Sequence, residues 1–320
     1  MTDAILSLGD LQVHFAVRGP FRRRIGSIKA VDGVSFDLMP GEVFGLVGES
    51  GCGKSTLGKA IMGIHPPNAG EIRFEGQRID RLAPAARRAV RRSLQYAYQD
   101  PAASLDPRWK IGRSLHEPLV IHTDLDAAQR DARIRSILEA VGLPDTHLDL
   151  YPHEISGGQQ RRVGLARILT LHPKVVILDE PTSGLDVSVQ ATVLSLFRGL
   201  RETFDLTYIL ISHDLAVIRM MCSRVAVMYL GRIVEIGPTD AIFDRPQHPY
   251  TRSLIAAIPK IGGARLSKDF WLQGEPADPG NLPSGCRFRT RCPKAVDLCA
   301  REEPALSALA PGAVACHFPG

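Results

Sequence analysis

The chain has 320 residues, of which 44% are hydrophobic and 23% charged. This is the composition of an ordinary globular protein, long enough for a large core and a smaller attachment. No apolar run approaches the ~20 residues that a membrane-spanning helix needs, and the first residues carry no secretion signal, so we expect a soluble cytoplasmic protein. The net charge of +5 fits an anionic ligand, a nucleic acid or an anionic membrane surface without choosing between them.

The segment from about residue 30 to residue 230 alternates strand-like and helix-like runs, which predicts a mainly parallel sheet with helices on its faces. Three short, continuously apolar runs are typical of strands covered on both sides. A further pair of runs flanks Gly231 and Arg232 and predicts a hairpin. The predicted strands are Val43–Val47, Val175–Leu178, Tyr208–Ile211, Val225–Leu230 and Ile233–Ile236, and a helix-like run follows the first of them over Leu57–Ile64.

The pattern changes between Gln99 and Gly157, where we expect a helical insertion over about residues 100–165. Within this insertion, Asp126–Val141 is charged and has apolar residues at helical spacing, which predicts an amphipathic helix.

Beyond Gly237 proline and glycine become frequent, and four of the six cysteines fall after residue 285. We expect a linker over about residues 238–270, followed by a small cysteine-bearing module. The predicted domains are therefore residues 1–240 and a C-terminal extension over residues 241–320.

The run Gly48–Thr56 completes the pattern G-x-x-x-x-G-K-[ST] between a predicted strand and a predicted helix. Such a loop turns backbone N–H groups inward around phosphate oxygens, and the helix N-terminus that follows adds a favourable field. Lys54 would bridge the outer phosphates, and Ser55 would bind Mg²⁺. The nucleotide-binding residues predicted here are Gly48, Glu49, Ser50, Gly51, Cys52, Gly53, Lys54, Ser55 and Thr56.

Two carboxylates, Asp179 and Glu180, follow the predicted strand that begins at Val175. The end of a strand in an open α/β sheet is where ligands bind. Asp179 would hold Mg²⁺ through its water shell, and Glu180 would orient and polarise an attacking water. Alone, the pair is more typical of solvated acids; the phosphate loop elsewhere in the chain favours the catalytic interpretation.

The segment Ile155–Gln159 reads Ile-Ser-Gly-Gly-Gln, and it resembles the Leu-Ser-Gly-Gly-Gln signature of the ATP-binding subunits of ABC transporters. Isoleucine in place of leucine is a mild change of apolar shape. The resemblance implies that Ser156, the N–H groups of Gly157 and Gly158, and Gln159 bind the γ-phosphate of a nucleotide held by another subunit. A helix N-terminus supplies the physical basis for this contact.

Three further positions match motifs of this family. Gln99 matches the Q-loop, which implies contact with Mg²⁺, with the attacking water and with a transmembrane partner. Asp186, which ends the run Ser183–Asp186, matches the D-loop at the dimer seam. His213 matches the switch histidine that contacts the γ-phosphate. By this resemblance the catalytic residues are Glu180, His213 and Gln99, and the Mg²⁺ ligands are Ser55, Gln99 and Asp179.

An aromatic residue stacks on adenine in this family, and Phe15 is the candidate here, with Phe21 and Ile28 as competitors. The resemblance implies an α/β fold with a RecA-like ATPase core, a helical subdomain and antiparallel β elements. It also implies that two such subunits close head to tail on ATP, because the phosphate loop of one meets the signature helix of the other.

Cys286, Cys292, Cys299 and Cys316 are spaced too widely for the ligand pairs that zinc usually draws. Four thiolates are the usual ligands of a [4Fe–4S] cluster, which these wider gaps suit. We therefore expect an iron–sulfur cluster, with zinc or free thiols as the alternatives. His317 adjoins Cys316 as a substitute ligand.

The runs His248–Arg252 and Gly285–His317 resemble the C-terminal extension of dipeptide and oligopeptide importer ATPases, which carries a [4Fe–4S] cluster in some members. The resemblance implies ATP-driven peptide import at the cytoplasmic face of the inner membrane. It also implies two transmembrane permease subunits and an extracytoplasmic substrate-binding protein as partners, and no nucleic acid. The sequence of Gly51–Lys59 resembles that of the second of the two paired ATPases in such importers, which favours a heterodimer.

Three alternatives remain at this point. The same ATPase role in an importer of nickel, glycosides or peptide antibiotics would leave this chain unchanged, because it does not touch the cargo. A soluble ABC ATPase of translation or DNA repair typically has two cassettes or a long coiled-coil insertion, and neither is indicated. A regulatory subunit with little hydrolysis is disfavoured by the intact Lys54, Asp179, Glu180 and His213.

Overall fold

The computed structural model describes residues 3–19, 24–98, 104–258 and 277–320. The chain forms two compact units, one of Met1–Asp80 with Leu210–Gly320 and one of Arg81–Ile209. The described part of the C-terminal extension therefore belongs to the same unit as the phosphate loop. The domain boundaries expected from the sequence remain predictions.

In chain order the strands are β1 (Leu6–Arg18), β2 (Arg24–Leu38), β3 (Val43–Val47), β4 (Ala69–Phe74), β5 (Gln77–Arg78), β6 (Leu94–Ala97), β7 (Val175–Asp179), β8 (Thr207–Ile211), β9 (Arg224–Tyr229), β10 (Arg232–Pro238), β11 (Ser307–Leu309) and β12 (Gly312–Val314). The α-helices are α1 (Lys54–Ile61), α2 (Pro84–Ser93), α3 (Ile111–His122), α4 (Ala127–Ala140), α5 (Gly157–Leu169), α6 (Val187–Phe204), α7 (Leu215–Met221), α8 (Thr239–Asp244), α9 (Pro249–Ala256) and α10 (Asp297–Arg301). Short 3-10 helices cover Asp145–Asp149 and Pro152–Glu154.

The first unit contains an antiparallel sheet in the order β2-β1-β4-β5. Buried and partly exposed residues alternate along the first half of β1, as expected for a sheet with one covered face. Leu6 of β1 pairs with Leu38 of β2 on one side and with Phe74 of β4 on the other, and all three are buried.

The first unit also contains strands in the order β11-β12-β10-β9-β3. All five residues of β3 are buried, and Val47 pairs in parallel register with Val227 of β9. The hairpin expected around Gly231 is confirmed, because β9 and β10 pair antiparallel. Its turn residues Leu230 and Gly231 have φ angles of 42° and 84°, the left-handed pair that a tight hairpin requires.

In the second unit β8, β7 and β6 are neighbours in that order, and the last two residues of β8 fall in the first unit. Leu94 of β6 pairs in parallel register with Val175 of β7, and every residue of β7 and β8 is buried. The mixed α/β fold predicted from the alternating runs is confirmed. The amphipathic helix is also confirmed as α4, which begins after Asp126 because that side chain and Gln129 form a capping box.

Two local predictions differ from the structure. The helix expected over Leu57–Ile64 begins at Lys54, directly after Gly53, and ends at Ile61. The linker expected over about residues 238–270 contains α8 and α9 in its described part. Apolar side chains drive this difference, since Ile242, Phe243 and Tyr250 are buried despite the neighbouring prolines.

Within the first unit, a buried charge network around Asp32 joins the C-terminal extension to strands β1 and β2. His14 Nε2 lies 2.7 Å from Asp32 Oδ1, and the guanidinium of Arg287 donates to Asp32 Oδ2. The same guanidinium donates to the Leu230 carbonyl oxygen and, at 3.1 Å, to Glu303 Oε1. Burial alone would raise the pKa of Asp32, but the hydrogen bonds from Arg287 and His14 outweigh it and lower the pKa to about 2.

Replacing Asp32 by asparagine should lower the free energy of unfolding by about 2–3 kcal/mol at pH 7, because the buried Arg287 loses a charged acceptor. The folded-state pKa of about 2 lies below the ordinary 3.8, so the contribution of Asp32 is present above pH 3.8 and is lost as the pH falls toward 2. The gap between variant and wild type, measured by urea denaturation, should narrow from pH 5 to pH 3. A constant gap over that range would contradict this. Asp37→Asn, exposed on the same strand, is the matched control.

Candidate functional site

The phosphate loop joins β3 to α1 and depends on glycine in both conformation and space. Gly48 and Gly53 have φ angles of 151° and 110°. A Cβ atom at Gly48 would lie 2.2 Å from the carbonyl oxygen of Met228, and one at Gly53 would lie 2.0 Å from that of Ala30. No larger residue fits either position, because the loop backbone lies directly against the backbone of strands β2 and β9.

Lys54 opens α1 and is buried, with 6% of its surface exposed. Its Nζ donates to the carbonyl oxygens of Gly48 at 2.7 Å and Glu49 at 3.0 Å, and lies 3.8 Å from Cys52 Sγ. These two carbonyl groups carry partial negative charge and neutralise the Lys54 ammonium group only in part. A phosphate anion at the N-terminus of α1 would supply the remaining negative charge, which is the chemistry predicted for this lysine.

A cavity of about 160 Å³ lies at this loop. Lys54, Ser55 and Thr56 line it from the start of α1, Ile28 lines it from β2, and Pro279 lines it from the C-terminal extension. The structure thus brings Ile28, one of the candidates for contact with adenine, to the cavity.

Phe15 pairs with Ile28 across the strands β1 and β2. Its ring packs edge-on against His65, with ring centroids 5.2 Å apart, and 38% of its surface is exposed. Its predicted stacking on adenine remains a prediction. Phe21 lies outside the described residues.

Two residues of the C-terminal extension, neither of them predicted as a site residue, contact the phosphate loop. The Glu49 backbone N–H donates to Tyr250 Oη at 2.8 Å. The Arg291 guanidinium donates to both Glu49 carboxylate oxygens, at 2.7 and 2.9 Å. These partners lie 201 and 242 residues away in the chain, so local spacing carries no signal of the contacts.

In the second unit, Asp179 ends β7 and is 6% exposed. Its Oδ2 accepts a hydrogen bond from Tyr96 Oη at 2.5 Å. Burial and this hydrogen bond raise the pKa of Tyr96, so the phenol stays a donor. Tyr96 carries no motif in the sequence, and it reaches the carboxylate because β6 and β7 are parallel neighbours.

Glu180 follows directly with a φ angle of 53°, the left-handed conformation that is rare for residues other than glycine. The Ser183 N–H donates to the Glu180 carbonyl oxygen at 3.1 Å and closes the turn. Strained residues of this kind cluster at functional sites, which agrees with the role predicted for Glu180.

The signature segment forms the exposed start of α5, a 13-residue helix in the second unit. Ser156 is its N-cap: Ser156 Oγ accepts from the Gln159 N–H at 3.3 Å, and Gln159 Oε1 accepts from the Ser156 N–H at 2.8 Å. Gly157 and Gly158 are exposed, and a Cβ atom on either would meet nothing within 4 Å. The helix N-terminus is therefore open to an external anion.

The remaining predicted residues take separate places. Asp186 is exposed at the N-cap position of α6 in the second unit, where its carbonyl oxygen accepts from the Gln190 N–H at 2.8 Å. His213 is exposed in the first unit between β8 and α7. Gln99 lies outside the described residues. The predicted site residues thus fall into two sets, with the phosphate loop and His213 in one unit and Asp179, Glu180, Asp186 and the signature segment in the other.

The prediction of an iron–sulfur cluster is wrong. Among the residues that the structure describes, no group of three or more His, Cys, Asp or Glu side chains is arranged to hold a metal ion. Cys286, Cys292, Cys299 and Cys316 are free cysteines. Burial raises the pKa of Cys286 to about 11 and also raises the pKa of Cys292 and of Cys316, so without a metal these three side chains are neutral thiols.

Replacing Tyr96 by phenylalanine removes a hydrogen bond to a buried carboxylate. Because such bonds to charged groups contribute about 1.5–3 kcal/mol, we expect the urea denaturation midpoint of the chain to fall accordingly. Tyr98→Phe is the matched control, since Tyr98 packs against Tyr96 at 4.8 Å but is 46% exposed. Equal midpoints for both variants would show that the Tyr96–Asp179 bond carries no stability.

Comparison with known proteins agrees with this arrangement of motifs. Residues 31–183 match the family described as ABC transporter, and residues 234–299 match the oligopeptide/dipeptide transporter C-terminal region. The structure of cbiO1 from Clostridium perfringens, described as part of the ABC transporter complex cbiONQ, aligns with a TM-score of 0.66 and 28% identity over 76% of this chain and 91% of that one. A dimeric cassette, MJ0796 with ADP and Pi, shares the fold at a TM-score of 0.64 and 24% identity, over 73% of this chain and 98% of that one.

Similar sequences extend over almost the whole chain. The oligopeptide transport ATP-binding protein AppF of Bacillus subtilis is 44% identical over 99% of this chain and 98% of its own length. The di/tripeptide transport ATP-binding protein DppF of Pseudomonas aeruginosa is 45% identical over 98% of both chains. This chain therefore belongs to the ATP-binding proteins of the ABC transporter family.

Proposed function

We propose that this chain is the ATP-hydrolysing subunit that powers the import of dipeptides or oligopeptides through an ABC transporter. The observation that carries the proposal is the combination of a complete phosphate loop and an open Ser-Gly-Gly helix N-terminus with a C-terminal region of the oligopeptide/dipeptide type. The whole-length relatives are named for peptide transport, which favours peptides over nickel, glycosides or peptide antibiotics as cargo.

In this proposal the phosphate loop binds the triphosphate, with Lys54 on its outer phosphates. The Ser55 hydroxyl, the Asp179 carboxylate and the Gln99 side chain are oxygen donors of the kind that Mg²⁺ prefers, and they would hold this ion. Bound Mg²⁺ neutralises phosphate charge. Glu180 orients and polarises the attacking water, while His213 contacts the γ-phosphate.

The open N-terminus of α5 supports a second subunit in the reaction. Its exposed Gly157 and Gly158 and the Ser156 side chain present donors to an anion from outside the chain. We propose that they grip the γ-phosphate held by a partner ATPase, and that Asp186 lies at the same seam. The sequence of the phosphate loop favours a related but different ATPase subunit as the partner, and hence a heterodimer.

Transport itself requires partners in the membrane. Within the described ranges, no helix is both long enough and apolar enough to cross a bilayer. We propose two transmembrane permease subunits, an extracytoplasmic binding protein that delivers the peptide, and a peripheral position of this chain at the cytoplasmic face of the inner membrane. Closure of the ATPase pair on ATP would then drive the permeases between their two states.

Replacing Glu180 by glutamine should lower ATP turnover by about 10²–10⁴-fold, because the amide cannot accept the proton of the attacking water. ATP binding should persist, since the phosphate loop is unchanged. Phosphate release by the assembled complex and equilibrium ATP binding by the purified subunit are the two measurements. Glu202→Gln, an exposed position in the same unit, is the matched control. Unchanged phosphate release from Glu180→Gln would overturn the catalytic role.

A further inference from the structure

Glu49 is a junction between the phosphate loop and the C-terminal extension. Its backbone N–H donates to Tyr250 Oη, and both oxygens of its side chain accept from Arg291. Its carbonyl oxygen accepts from Lys54 Nζ at 3.0 Å and from the Cys52 N–H at 3.3 Å. The extension thus holds the same residue whose carbonyl orients the lysine of the loop.

Tyr250 is rigidly placed within the extension. It is fully buried, and its ring packs against Tyr229 at 4.7 Å and Phe288 at 5.4 Å. Its backbone N–H donates to His248 Nδ1 at 3.0 Å, which caps α9. The buried carboxylate of Glu235 accepts from the His248 N–H at 2.9 Å and fixes that cap in turn. The phenol oxygen therefore has little freedom to follow a loop that moves.

Arg291 is also held in place. Only 8% of its surface is exposed, and its guanidinium carbon lies 6.0 Å from the centroid of the Tyr229 ring. A bidentate guanidinium–carboxylate pair fixes direction as well as distance. With Tyr250 on the backbone and Arg291 on the side chain, Glu49 is held at two points.

We propose that Tyr250 and Arg291 are positioning residues of the ATP site, which preorganise the phosphate loop for the triphosphate through Glu49. This inference rests on the proposed function and assigns to the extension a part in nucleotide binding. Pro279 supports it independently, because this residue of the extension lines the cavity at the loop. Binding of ATP and docking of the segment around Arg291 then favour each other reciprocally.

The test compares Arg291→Gln, Arg291→Lys and Tyr250→Phe with wild type. Arg291→Gln should weaken ATP binding by the purified subunit about 10-fold, and Tyr250→Phe by about 3-fold, as expected for the loss of one charged or one neutral contact. In the assembled complex KM for ATP should rise by much more than kcat falls. Arg291→Lys should retain part of the affinity, because it keeps the positive charge but cannot donate two parallel hydrogen bonds to the carboxylate. Arg289→Gln is the matched control, since Arg289 is bonded to Ser284.

A double-mutant cycle with Glu49→Ala separates positioning from a general loss of structure. If Arg291 acts through Glu49, the double variant should bind ATP no more weakly than the weaker-binding of the two single variants. Glu49→Ala also decides the question if Arg291→Gln fails to fold, because it removes the contact from the side of the loop. Wild-type affinity in Glu49→Ala, or additive losses in the double variant, would overturn the inference.

A second readout uses the reciprocal effect. On the Glu180→Gln background, ATP should slow amide hydrogen exchange in residues 285–292, and Arg291→Gln should abolish this protection. A purely structural role would lower stability without changing ATP affinity or this response. If the wild-type subunit binds no ATP, the proposed function fails; if it binds ATP and all variants match it, only this inference fails.

Discussion

The close approach of the phosphate loop to neighbouring backbone is the constraint on which the nucleotide site depends. Gly48 and Gly53 lie where a side chain would overlap the carbonyl groups of Met228 and Ala30. The Gly231 N–H donates to the Cys52 carbonyl oxygen at 2.9 Å and ties the loop to the β9–β10 hairpin as well. With its backbone fixed in this way, the loop can direct N–H groups and Lys54 at one point, and a phosphate binds without a large cost of ordering.

In the second unit, other contacts hold the predicted site residues in place. A hydrogen bond from Tyr96 holds Asp179 in place, and a left-handed backbone sets the direction of Glu180. At Ser156 a capping box satisfies the helix start through side chains, so the glycine N–H groups that follow remain exposed to an external ligand. In the proposed function, an anion site completed by another subunit would make hydrolysis conditional on assembly, which is the behaviour that coupling to transport requires.

Local motifs were predictable from the sequence, whereas contacts between distant segments were not. The phosphate loop, the buried strand at Val43–Val47, the hairpin at Gly231 and the helix after Asp126 each depend on neighbours in the chain, and each is confirmed as structure. The hydrogen bonds that Tyr250 and Arg291 make with Glu49 join residues more than 200 positions apart, so they leave no periodic signal in the sequence. The expected cluster failed for a related reason: cysteine spacing is compatible with metal or thiols, and the arrangement of the side chains in space, which decides between them, is a property of the fold.

The buried contacts of the extension set its position as well as contributing to stability. In the described residues from 277 onward the buried apolar side chains are few, namely Phe288, Cys299 and Val314. Two buried arginines four residues apart, Arg287 and Arg291, instead pair with Asp32 and Glu49. Desolvation offsets much of the attraction within a buried ion pair, but an unpaired buried charge is strongly unfavourable. The pairs therefore stabilise the fold by less than their attraction alone would give, and they exclude every docking of the extension that leaves an arginine unpaired. The docking that remains is the one in which Arg291 holds Glu49.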